Sequence, residues 1–465
     1  MSSGTPSGDR YLDFVNGPVG GLLAKRLGLP TPVRLVRNGD RAAKARPVLV
    51  GAAKGARLLS ALAVNFAGQH VVSFYHHDAE SWREAAEEHG LMSGRFGERS
   101  GRVGALVFDA SGIETVDGLG ALYRFFHDSI RAVCPNGRIL VLSIPPESAG
   151  TAEAAAVQRG LEGFTRSLGK EARRAIAVQL IEVAPGAEAA IGSTLRFFLS
   201  PGSAYVSGQV VRIDAESGQY ASGTTRRTVL VTGAAQGIGA AIAELFSARG
   251  DQVVVLDVPA MADKVAETAT RLNGVGLPLD ITAADAADAV LQHARSCGGF
   301  DVVVHNAGIT RDRTIARMER AGWDEVMAVN LRAPLRITEK LLAGGGLRPN
   351  GRIVCVSSMS GIAGNPGQTN YALTKAALIG LVKRLAPAAR EAGATINAVA
   401  PGFIETRMTA AIPFMVREAG RRLNAMGQGG RPVDVAEAIA WLADRDSYGV
   451  NGQTIRVCGQ SLLGA

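Results

Sequence analysis

Residues 229–249 read VLVTGAAQGIGAAIAELFSAR, and this stretch decides the fold of the half of the chain that contains it. Its first residues form an apolar strand, and a helical pattern of apolar side chains begins after the third glycine. Such an order of strand, glycine-rich turn and helix predicts a βαβ unit whose helix N-terminus receives the pyrophosphate of a dinucleotide. The predicted cofactor contacts in the turn are Gly233, Gln236, Gly237, Ile238 and Gly239.

Asp257 ends the next predicted strand, which begins at Gln252. An acid at this distance from the glycine turn accepts hydrogen bonds from the adenosine ribose and repels a 2′-phosphate. The turn itself carries no arginine that would attract such a phosphate. We therefore expect NAD(H) rather than NADP(H) as the cofactor, with capping of a helix as the alternative role of Asp257.

Tyr371 and Lys375 lie four positions apart in a predicted helix, so that their side chains are on one face. An ammonium group held beside the phenol favours the phenolate, and we expect it to lower the pKa of Tyr371 from the ordinary value of about 10. The pair then predicts a tyrosine that exchanges a proton during a reaction. The alternative is an ordinary solvated helix face, which shows the same spacing.

The sequence contains an internal repeat, which indicates two copies of one fold. Residues 46–55 (RPVLVGAAKG) match residues 227–237 (RTVLVTGAAQG), and residues 136–143 (NGRILVLS) match residues 350–357 (NGRIVCVS). Apolar strands alternate with amphipathic helices in both halves, which predicts two tandem Rossmann-like, doubly wound α/β domains with parallel sheets. We expect a basic, helical extension at 1–45, a degenerate domain at 46–215, a linker at 216–227 and a catalytic domain at 228–465.

The first copy lacks the chemistry of the second. Gly51 and Gly55 remain in its turn, but Arg57 stands at the position of Gly239, where its side chain would crowd a pyrophosphate. We therefore predict that this half is catalytically silent and non-binding for the dinucleotide. The positions of Ser358, Tyr371 and Lys375 are taken by Ile144, Ala154 and Gln158.

Composition narrows the possible function classes. The chain is 47% hydrophobic, which is enough for large cores, and it has no apolar run of the length that spans a bilayer. Residues 1–57 carry ten Lys and Arg against three acids, yet no aromatic platform accompanies them, which argues against nucleic-acid binding. The four cysteines show no metal-ligand spacing, so we expect no metal and a reducing, cytoplasmic setting.

Further motifs in the second half resemble those of the short-chain dehydrogenase/reductase family. Thr232 to Gly239 matches the glycine motif of that family, and the interval from Ser358 to Tyr371 matches its catalytic spacing. The resemblance implies a catalytic set of Asn330, Ser358, Tyr371 and Lys375. It also implies that Tyr371 and Lys375 contact the cofactor. The other contacts that it implies are Asp280, Ile281, Asn306, Ala307, Gly308, Pro401, Gly402, Ile404 and Thr406.

Within the family, the passages at 364–371 and 400–406 resemble 3-oxoacyl-[acyl-carrier-protein] reductases. The additional first half resembles the long, high-molecular-weight form of mycobacteria and their relatives. That subgroup usually has Ser-Arg in the glycine turn, where this chain has Ala235 and Gln236, and an acid is frequent where Arg407 stands. The resemblance implies an enzyme of bacterial fatty-acid metabolism that acts on a 3-oxoacyl-CoA or an acyl-carrier-protein thioester, and a homodimer.

The stretch 407–431 falls where the family has its substrate lid. Its apolar side chains would hold an acyl chain, while Arg417, Arg421 or Arg422 would meet an anionic group of the CoA or carrier. An amphipathic surface helix is the alternative. The apolar residues are Met408, Ile412, Pro413, Phe414, Met415 and Met426.

The sequence predicts an NADH-dependent reductase of 3-oxoacyl thioesters. Two other enzymatic roles remain open, a 3-hydroxyacyl-CoA dehydrogenase working in the opposite direction and a reductase of polyketide or steroid carbonyls. A non-catalytic scaffold that binds a partner through the basic N-terminal stretch is an alternative of another class.

Overall fold

The structure is a computed structural model that describes residues 9–40, 46–214, 226–410 and 413–462. The chain forms two compact units. The first comprises the described parts of Met1–Ala215 together with Phe414–Gly429 and Gly459–Leu462, and the second comprises the described remainder. Among the described residues, every helix is too short or too polar to cross a bilayer.

In the described part of the first unit, seven parallel strands form a sheet of order β3-β2-β1-β4-β5-β6-β7. Strand β1 is buried along its whole length because helices cover both faces of the sheet. The strands are β1 (Val48–Ala52), β2 (Ser73–Tyr75), β3 (Ser93–Arg95), β4 (Val103–Asp109), β5 (Val133–Ser143), β6 (Ala177–Val183) and β7 (Gln209–Ile213).

The helices of the first unit begin with two short ones that lie within the predicted extension at 1–45. The α-helices are α1 (Arg10–Val15), α2 (Pro18–Arg26), α3 (Leu59–Gly68), α4 (Glu80–Glu88), α5 (Leu119–Ser129), α6 (Ala152–Glu171) and α7 (Gly192–Leu199). Short 3₁₀ helices span Glu98–Ser100, Ile130–Ala132, Pro146–Ser148, Glu188–Ile191 and Pro201–Ser203.

The second unit repeats the same topology, with the strand order β10-β9-β8-β11-β12-β13-β14 and parallel pairing between all described neighbours. This arrangement confirms the two tandem Rossmann-like domains that the sequence predicts. The strands are β8 (Thr228–Thr232), β9 (Gln252–Asp257), β10 (Val275–Pro278), β11 (Phe300–His305), β12 (Leu347–Val356), β13 (Thr395–Pro401) and β14 (Thr454–Val457).

Helices cover both faces of the second sheet. The α-helices are α8 (Gly237–Ala248), α9 (Ala262–Arg271), α10 (Ala286–Ser296), α11 (Arg320–Met327), α12 (Ala333–Ala343), α13 (Met359–Ala363), α14 (Thr369–Glu391), α15 (Arg407–Ala410) and α17 (Pro432–Leu442). A π-helical turn, Ala328–Arg332, joins α11 to α12, and 3₁₀ helices span Pro259–Met261, Ile315–Arg317 and Arg445–Ser447.

One helix departs from the domain order of the sequence. Helix α16 (Phe414–Arg422) and the turn that follows it pack with the first unit, although they lie within the predicted catalytic domain at 228–465. Residues 216–225 of the predicted linker lie outside the described residues.

The duplication extends to individual side chains. Asn136 and Asn350 both adopt left-handed backbone conformations, with φ of 60° and 63°, in the turn that enters the central part of β5 and β12. Two residues further on, Arg138 and Arg352 are buried and donate Nη1 hydrogen bonds to both carbonyl oxygens of the preceding Asn-Gly pair. Such an unusual buried arrangement, present twice in the same place, supports one ancestral unit.

The phosphate-binding end of the first copy is filled by the protein itself. The carboxylate of Asp109, which is fully buried at the end of β4, accepts the backbone N–H of Leu58 at 2.8 Å and that of Ser111 at 3.0 Å. Leu58 immediately precedes α3, so the Asp109 carboxyl group lies at the helix N-terminus that in a dinucleotide site faces a phosphate.

Gly51 does not belong to that turn, contrary to the sequence alignment. It lies inside β1, where an added Cβ atom would overlap the ring of Phe125, and its role is close packing. Gly55, with φ of 76°, remains in the turn, and Arg57 beside it pairs with Glu114 at 2.7 Å.

We predict that Arg352→Met lowers the stability of the second unit. Arg352 donates hydrogen bonds to the carbonyl oxygens of Asn350, Gly351, Asp444 and Arg445 at 2.9–3.1 Å. Because an apolar side chain leaves buried carbonyl groups unpaired, we expect a loss of about 3 kcal/mol. Differential scanning calorimetry of Arg352→Met against Arg384→Met, which changes an exposed arginine of α14, measures the effect. Equal melting temperatures for the two variants would contradict it.

Candidate active site

A cavity of about 770 Å³ opens at the carboxyl ends of the parallel strands in the second unit. Ligand sites of doubly wound sheets lie at this edge, next to the point where the strand order reverses between β8 and β11. All the predicted site residues line the cavity except Gly239 and Asn330, which lie directly behind its wall. Those that line it are Gly233, Gln236, Gly237, Ile238, Asp257, Asp280, Ile281, Asn306, Ala307, Gly308, Ser358, Tyr371, Lys375, Pro401, Gly402, Ile404 and Thr406.

The glycine turn leaves room for a phosphate group because it carries no side chains where the backbone is closest. Gly233 and Gly237 have φ of 67° and 62°, which glycine adopts without strain. At Gly239, an added Cβ atom would overlap the carbonyl oxygen of Gly233. Helix α8 begins at Gly237, so the free N–H groups of its first turn point into the cavity mouth, as a dinucleotide pyrophosphate requires.

Asn306 fixes the turn to the end of β11. Its side-chain amide donates to the carbonyl oxygens of Thr232 at 3.0 Å and of Gly233 at 3.1 Å. The Thr232 hydroxyl accepts the backbone N–H groups of Asn306 and Ala307 in return, at 3.1 and 3.0 Å. This reciprocal pairing explains why Asn306 and Ala307 stand at the cavity wall.

Asp257 lies at the cavity wall and caps neither α8 nor the 3₁₀ helix that follows it. Its carboxylate accepts the N–H of Ala235 at 3.0 Å and that of Val258 at 2.9 Å, and it also lines the cavity. Asp280 lies beside it at the cavity wall, where its carboxylate accepts both the N–H and the hydroxyl of Thr282.

Helix α9 contributes cavity residues that sequence reasoning missed. They are Met261, which precedes the helix, and Lys264, Glu267, Thr268 and Arg271 on it. Their spacing of three or four residues marks one face of α9, but the same periodicity describes any surface helix, so only the tertiary structure reveals their position. Arg271 pairs with Glu244 at 2.8 Å.

Tyr371 and Lys375 lie on the first turns of α14, as predicted. Lys375 is 3% exposed, its ammonium group donates to the carbonyl oxygen of Val356 at 2.8 Å, and its Nζ atom lies 5.5 Å from the centre of the Tyr371 ring. The Ser358 hydroxyl and the Tyr371 phenol both line the cavity, and the hydroxyl acts to lower the pKa of the phenol. The Ser358 Oγ also accepts the N–H of Ser360 at 3.1 Å, which caps α13.

The electrostatics of the pair differ from the sequence expectation. Burial raises the pKa of Tyr371, and the neighbouring Ser358 hydroxyl offsets only part of that rise. Burial has the opposite effect on the lysine, since it lowers the pKa of Lys375 to about 8. The expectation that the pKa of Tyr371 lies below its ordinary value is therefore wrong for this structure, because desolvation of the phenol exceeds the opposing effect of Ser358.

Asn330 lies in the π-helical turn, a geometry that is frequent at functional sites. Its side-chain Oδ1 accepts the N–H of Ile309 at 2.8 Å, and its amide donates to the carbonyl oxygen of Ile309 at 2.9 Å. At Gly308, an added Cβ atom would stand 3.2 Å from the Lys375 Nζ and 3.4 Å from the Asn330 Oδ1. A side chain at Gly308 would therefore stand between Asn330 and Lys375.

The predicted lid is only partly supported. Arg407 and Thr409 on α15 line the cavity, but Arg421 and Arg422 are not available to an acyl carrier as proposed. Arg421 is buried and pairs with Glu418, while Arg422 forms a two-fold ion pair with Asp9. Ile412 and the Met408 side chain lie outside the described residues. Phe414 and Met415 are exposed, and Met426 is buried.

Among the residues that the structure describes, one group of potential metal ligands occurs, and it lies in the first unit, where the sequence predicted none. His76, His77 and Asp128 bring ligand atoms within 4.8 Å of one another. The backbone N–H of Asp78 points at the His76 Nδ1 at 3.4 Å, which keeps the ring proton on Nε2, facing Asp128. Hydrogen bonding therefore explains this group without an ion.

The comparisons with known proteins concern the second half of the chain. A family profile described as enoyl-(acyl carrier protein) reductase matches residues 233–459. The 3-oxoacyl-[acyl-carrier-protein] reductase FabG of Vibrio cholerae is 39% identical over 234 residues, which are 50% of this chain and 96% of that protein. The chain belongs to the short-chain dehydrogenase/reductase family.

Other members of the family show the same coverage. The FabG reductase of Thermotoga maritima is 40% identical over 237 residues, and nodulation protein G of a Rhizobium species is 40% identical over 238 residues. Each match covers 50% of this chain and 96% of the relative. The second unit is thus an oxidoreductase of this family, whose members use a nicotinamide cofactor. The residues of the glycine turn fit such a cofactor, because Gly237, where α8 begins, lines the cavity and no other atom lies within 4 Å of the position that a Cβ atom would take there.

We predict that Gly239→Ala abolishes cofactor binding. Its Cβ atom would overlap backbone atoms of Gly233, so the turn has to move and its N–H groups lose their common direction. We expect the dissociation constant of NADH, measured by fluorescence titration, to rise at least about 100-fold, or about 2.7 kcal/mol. Gly380→Ala on α14 is the matched control, since no atom lies within 4 Å of its added Cβ. Unchanged affinity in Gly239→Ala would contradict the assignment of the turn.

We also predict that carbonyl reduction declines as the pH rises through about 8. The charged form of Lys375 predominates below its pKa and is lost above it, while Tyr371 with its raised pKa keeps its proton. Initial rates at saturating cofactor, measured between about pH 6 and pH 10, should fall on the alkaline side. Any residual activity of Lys375→Arg should lack that decline, because a guanidinium stays charged. A wild-type profile that is flat across this range would contradict the role of Lys375.

Proposed function

We propose that this protein reduces 3-oxoacyl thioesters, carried by CoA or by an acyl carrier protein, to 3-hydroxyacyl thioesters with NADH in fatty-acid metabolism. The observation that carries the proposal is the convergence of Ser358, Tyr371 and Lys375 at one cavity with the glycine turn. The similarity to 3-oxoacyl-[acyl-carrier-protein] reductases over nearly their whole length supports the substrate class.

When bound, NADH supplies the hydride that adds to C3 of the thioester. Tyr371 gives its phenolic proton to the carbonyl oxygen at the same time, so that one C–H and one O–H bond form as the C=O π bond is lost. Its raised pKa suits this direction, since the phenol is protonated before each turnover.

Two neighbours assist Tyr371. Ser358 donates a hydrogen bond to the same carbonyl oxygen and stabilises the charge that develops on it. The ammonium group of Lys375 stabilises the phenolate that remains after proton transfer, and it binds the nicotinamide ribose. Asn330 acts on Lys375 rather than on Tyr371. It holds a water molecule that passes a proton to Lys375 past Gly308, which lies next to both side chains.

The preference for NADH is part of the proposal. The carboxylate of Asp257 lies at the cavity wall beside the glycine turn and repels a 2′-phosphate while it accepts bonds from a ribose. Lys264 and Arg271 are also at the wall, and they would favour a phosphate. Arg271 pairs with Glu244, which reduces its attraction for a phosphate. The carboxylate of Asp257 therefore sets the preference for NADH over NADPH.

The remaining assignments follow from the same reasoning. We place the catalytic domain at 228–465, a silent, degenerate domain at 46–215 with the extension 1–45, and a linker at 216–227. The internal carboxylate of Asp109 and the side chain of Arg57 support a first unit without a cofactor. We further propose that the protein is cytoplasmic and forms a homodimer.

Replacing Tyr371 by phenylalanine tests the reaction. Because Tyr371→Phe removes only the transferable proton, we expect kcat with acetoacetyl-CoA to fall about 1,000-fold while the affinity for NADH changes less than about twofold. Loss of NADH absorbance follows turnover, and fluorescence titration follows binding. Tyr123→Phe, which changes an exposed tyrosine of the first unit, is the control. Retained turnover in Tyr371→Phe would rule out this mechanism.

Removing the charge at Asp257 tests the cofactor preference. Asp257→Asn keeps an acceptor for the N–H of Ala235 but no longer repels a phosphate. The ratio of kcat/KM for NADH to that for NADPH should fall about tenfold, or about 1.4 kcal/mol. Asp280→Asn, at an exposed position of the same wall, should leave the ratio unchanged. A wild-type enzyme that favours NADPH would contradict the preference.

A further inference from the structure

Helix α2 of the first unit presents its large side chains to solvent and its small ones to the protein. Gly20 and Ala24, which lie one turn apart, are buried. Val19, Leu22 and Leu23, on the other half of the helix, are 70%, 57% and 43% exposed. A surface helix of a globular domain normally has the reverse arrangement, with its large apolar side chains towards the core.

Packing and hydrogen bonds within the first unit hold α2 in this orientation. An added Cβ atom at Gly20 would overlap the carbonyl oxygen of Phe14, so the backbone of α2 lies directly against the end of α1. The side-chain amide of Asn16, between the two helices, donates to the carbonyl oxygens of Leu12 at 2.9 Å and Pro32 at 3.0 Å. Because Leu12 is itself buried, both helices are fixed to the unit and the outer face of α2 stays outward.

The exposed apolar surface continues beyond the end of α2. Leu27 and Leu29 are 70% and 44% exposed, and they flank Gly28, whose φ of 66° ends the helix. The N–H of Leu29 donates to the carbonyl oxygen of Ala24 at 2.9 Å, which holds this turn in place. Single exposed leucines are ordinary, but five large apolar side chains within eleven residues indicate an interaction surface. We name it the α2 surface, and it consists of Val19, Leu22, Leu23, Leu27 and Leu29.

The charges beside the α2 surface are positive. Lys25 and Arg26, in the last turn of α2, are exposed, and neither forms an ion pair within the part of the chain that the structure describes. Each of the three acids in residues 1–57 is already paired or hydrogen-bonded. They are Asp9, Asp13 and Asp40. A partner that covers this surface therefore has to offer apolar groups next to negative charge.

An anionic lipid bilayer meets both requirements. Apolar side chains of a surface helix enter the boundary between headgroups and acyl chains, while lysine and arginine lay their stems along it and reach the phosphates. Anionic lipids also give the cytoplasmic leaflet a negative surface potential. A second copy of this chain would instead bring the same cations to the interface. An acidic protein is a poorer match, because protein interfaces favour aromatic residues over lysine and the α2 surface contains no aromatic residue.

We propose that the α2 surface, together with Lys25 and Arg26, docks the first unit on an anionic lipid bilayer. Helix α2 has nine residues, which is too short to cross a bilayer, so it lies in the plane of the headgroups. The inference is independent of the proposed function, because it uses neither the cavity nor a substrate.

Co-sedimentation of the full-length chain with vesicles of about 70% phosphatidylcholine and about 30% phosphatidylglycerol tests the apolar contact. We expect Leu22→Gln to lower the partition coefficient about tenfold, because an amide does not enter the acyl region. Val64→Gln is the matched control, since Val64 on α3 is 53% exposed, close to Leu22, and lies outside the α2 surface. It should bind like the wild type. If both variants bind equally, the proposal is overturned.

Removing the two cations tests the charge. Lys25→Gln combined with Arg26→Gln should lower binding to the mixed vesicles about tenfold, towards the level seen with phosphatidylcholine alone. Lys54→Gln combined with Arg131→Gln removes two other exposed cations of the first unit and should bind like the wild type. Equal binding of the wild type to both kinds of vesicle, or to neither, overturns the proposal. If neither binds and Leu22→Gln turns a dimer into a monomer in light scattering, the surface belongs to a second copy instead.

Discussion

The backbone of the glycine turn approaches the end of β11 so closely that no side chain fits at Gly239, and the rest of the site depends on this contact. Asn306 and Thr232 hold the approach in place through reciprocal hydrogen bonds. The consequence is a helix N-terminus at the same cavity that the buried Lys375 and the half-buried Tyr371 line. A cofactor held there would lie between the turn and the tyrosine, which is the arrangement that hydride transfer requires.

The first unit has Arg57 at the position of Gly239, and its cofactor end differs accordingly. It keeps the sheet order and even the buried arginine of the Asn-Gly turn, because these features stabilise the fold itself. In place of Asn306 it has the Asp109 carboxylate, which pairs with the N–H groups that a phosphate would use. Gln158, at the position of Lys375, donates to the carbonyl oxygens of Ala110 and Ile113 instead of serving a reaction. The first copy thus retains the packing of the fold while the polar groups at its cofactor end have changed.

Local motifs let the sequence predict most of the fold and of the candidate site. The glycine spacing, Asp257, and the interval from Ser358 to Tyr371 are short-range patterns whose geometry follows from a single strand, turn or helix. Three features could not be predicted from the sequence, because each depends on packing between residues that are far apart in the chain. Burial raises the pKa of Tyr371, one face of α9 lines the cavity, and α16 packs with the first unit, where Asp9 occupies Arg422.

The central claim is that one of two homologous units binds the cofactor. Isothermal titration calorimetry of the full-length protein with NADH measures it most directly, because the stoichiometry counts sites without reference to any substrate. The account predicts one NADH bound per chain. Two NADH molecules per chain, of similar affinity, would show that Asp109 and Arg57 do not close the first site, and would contradict the account.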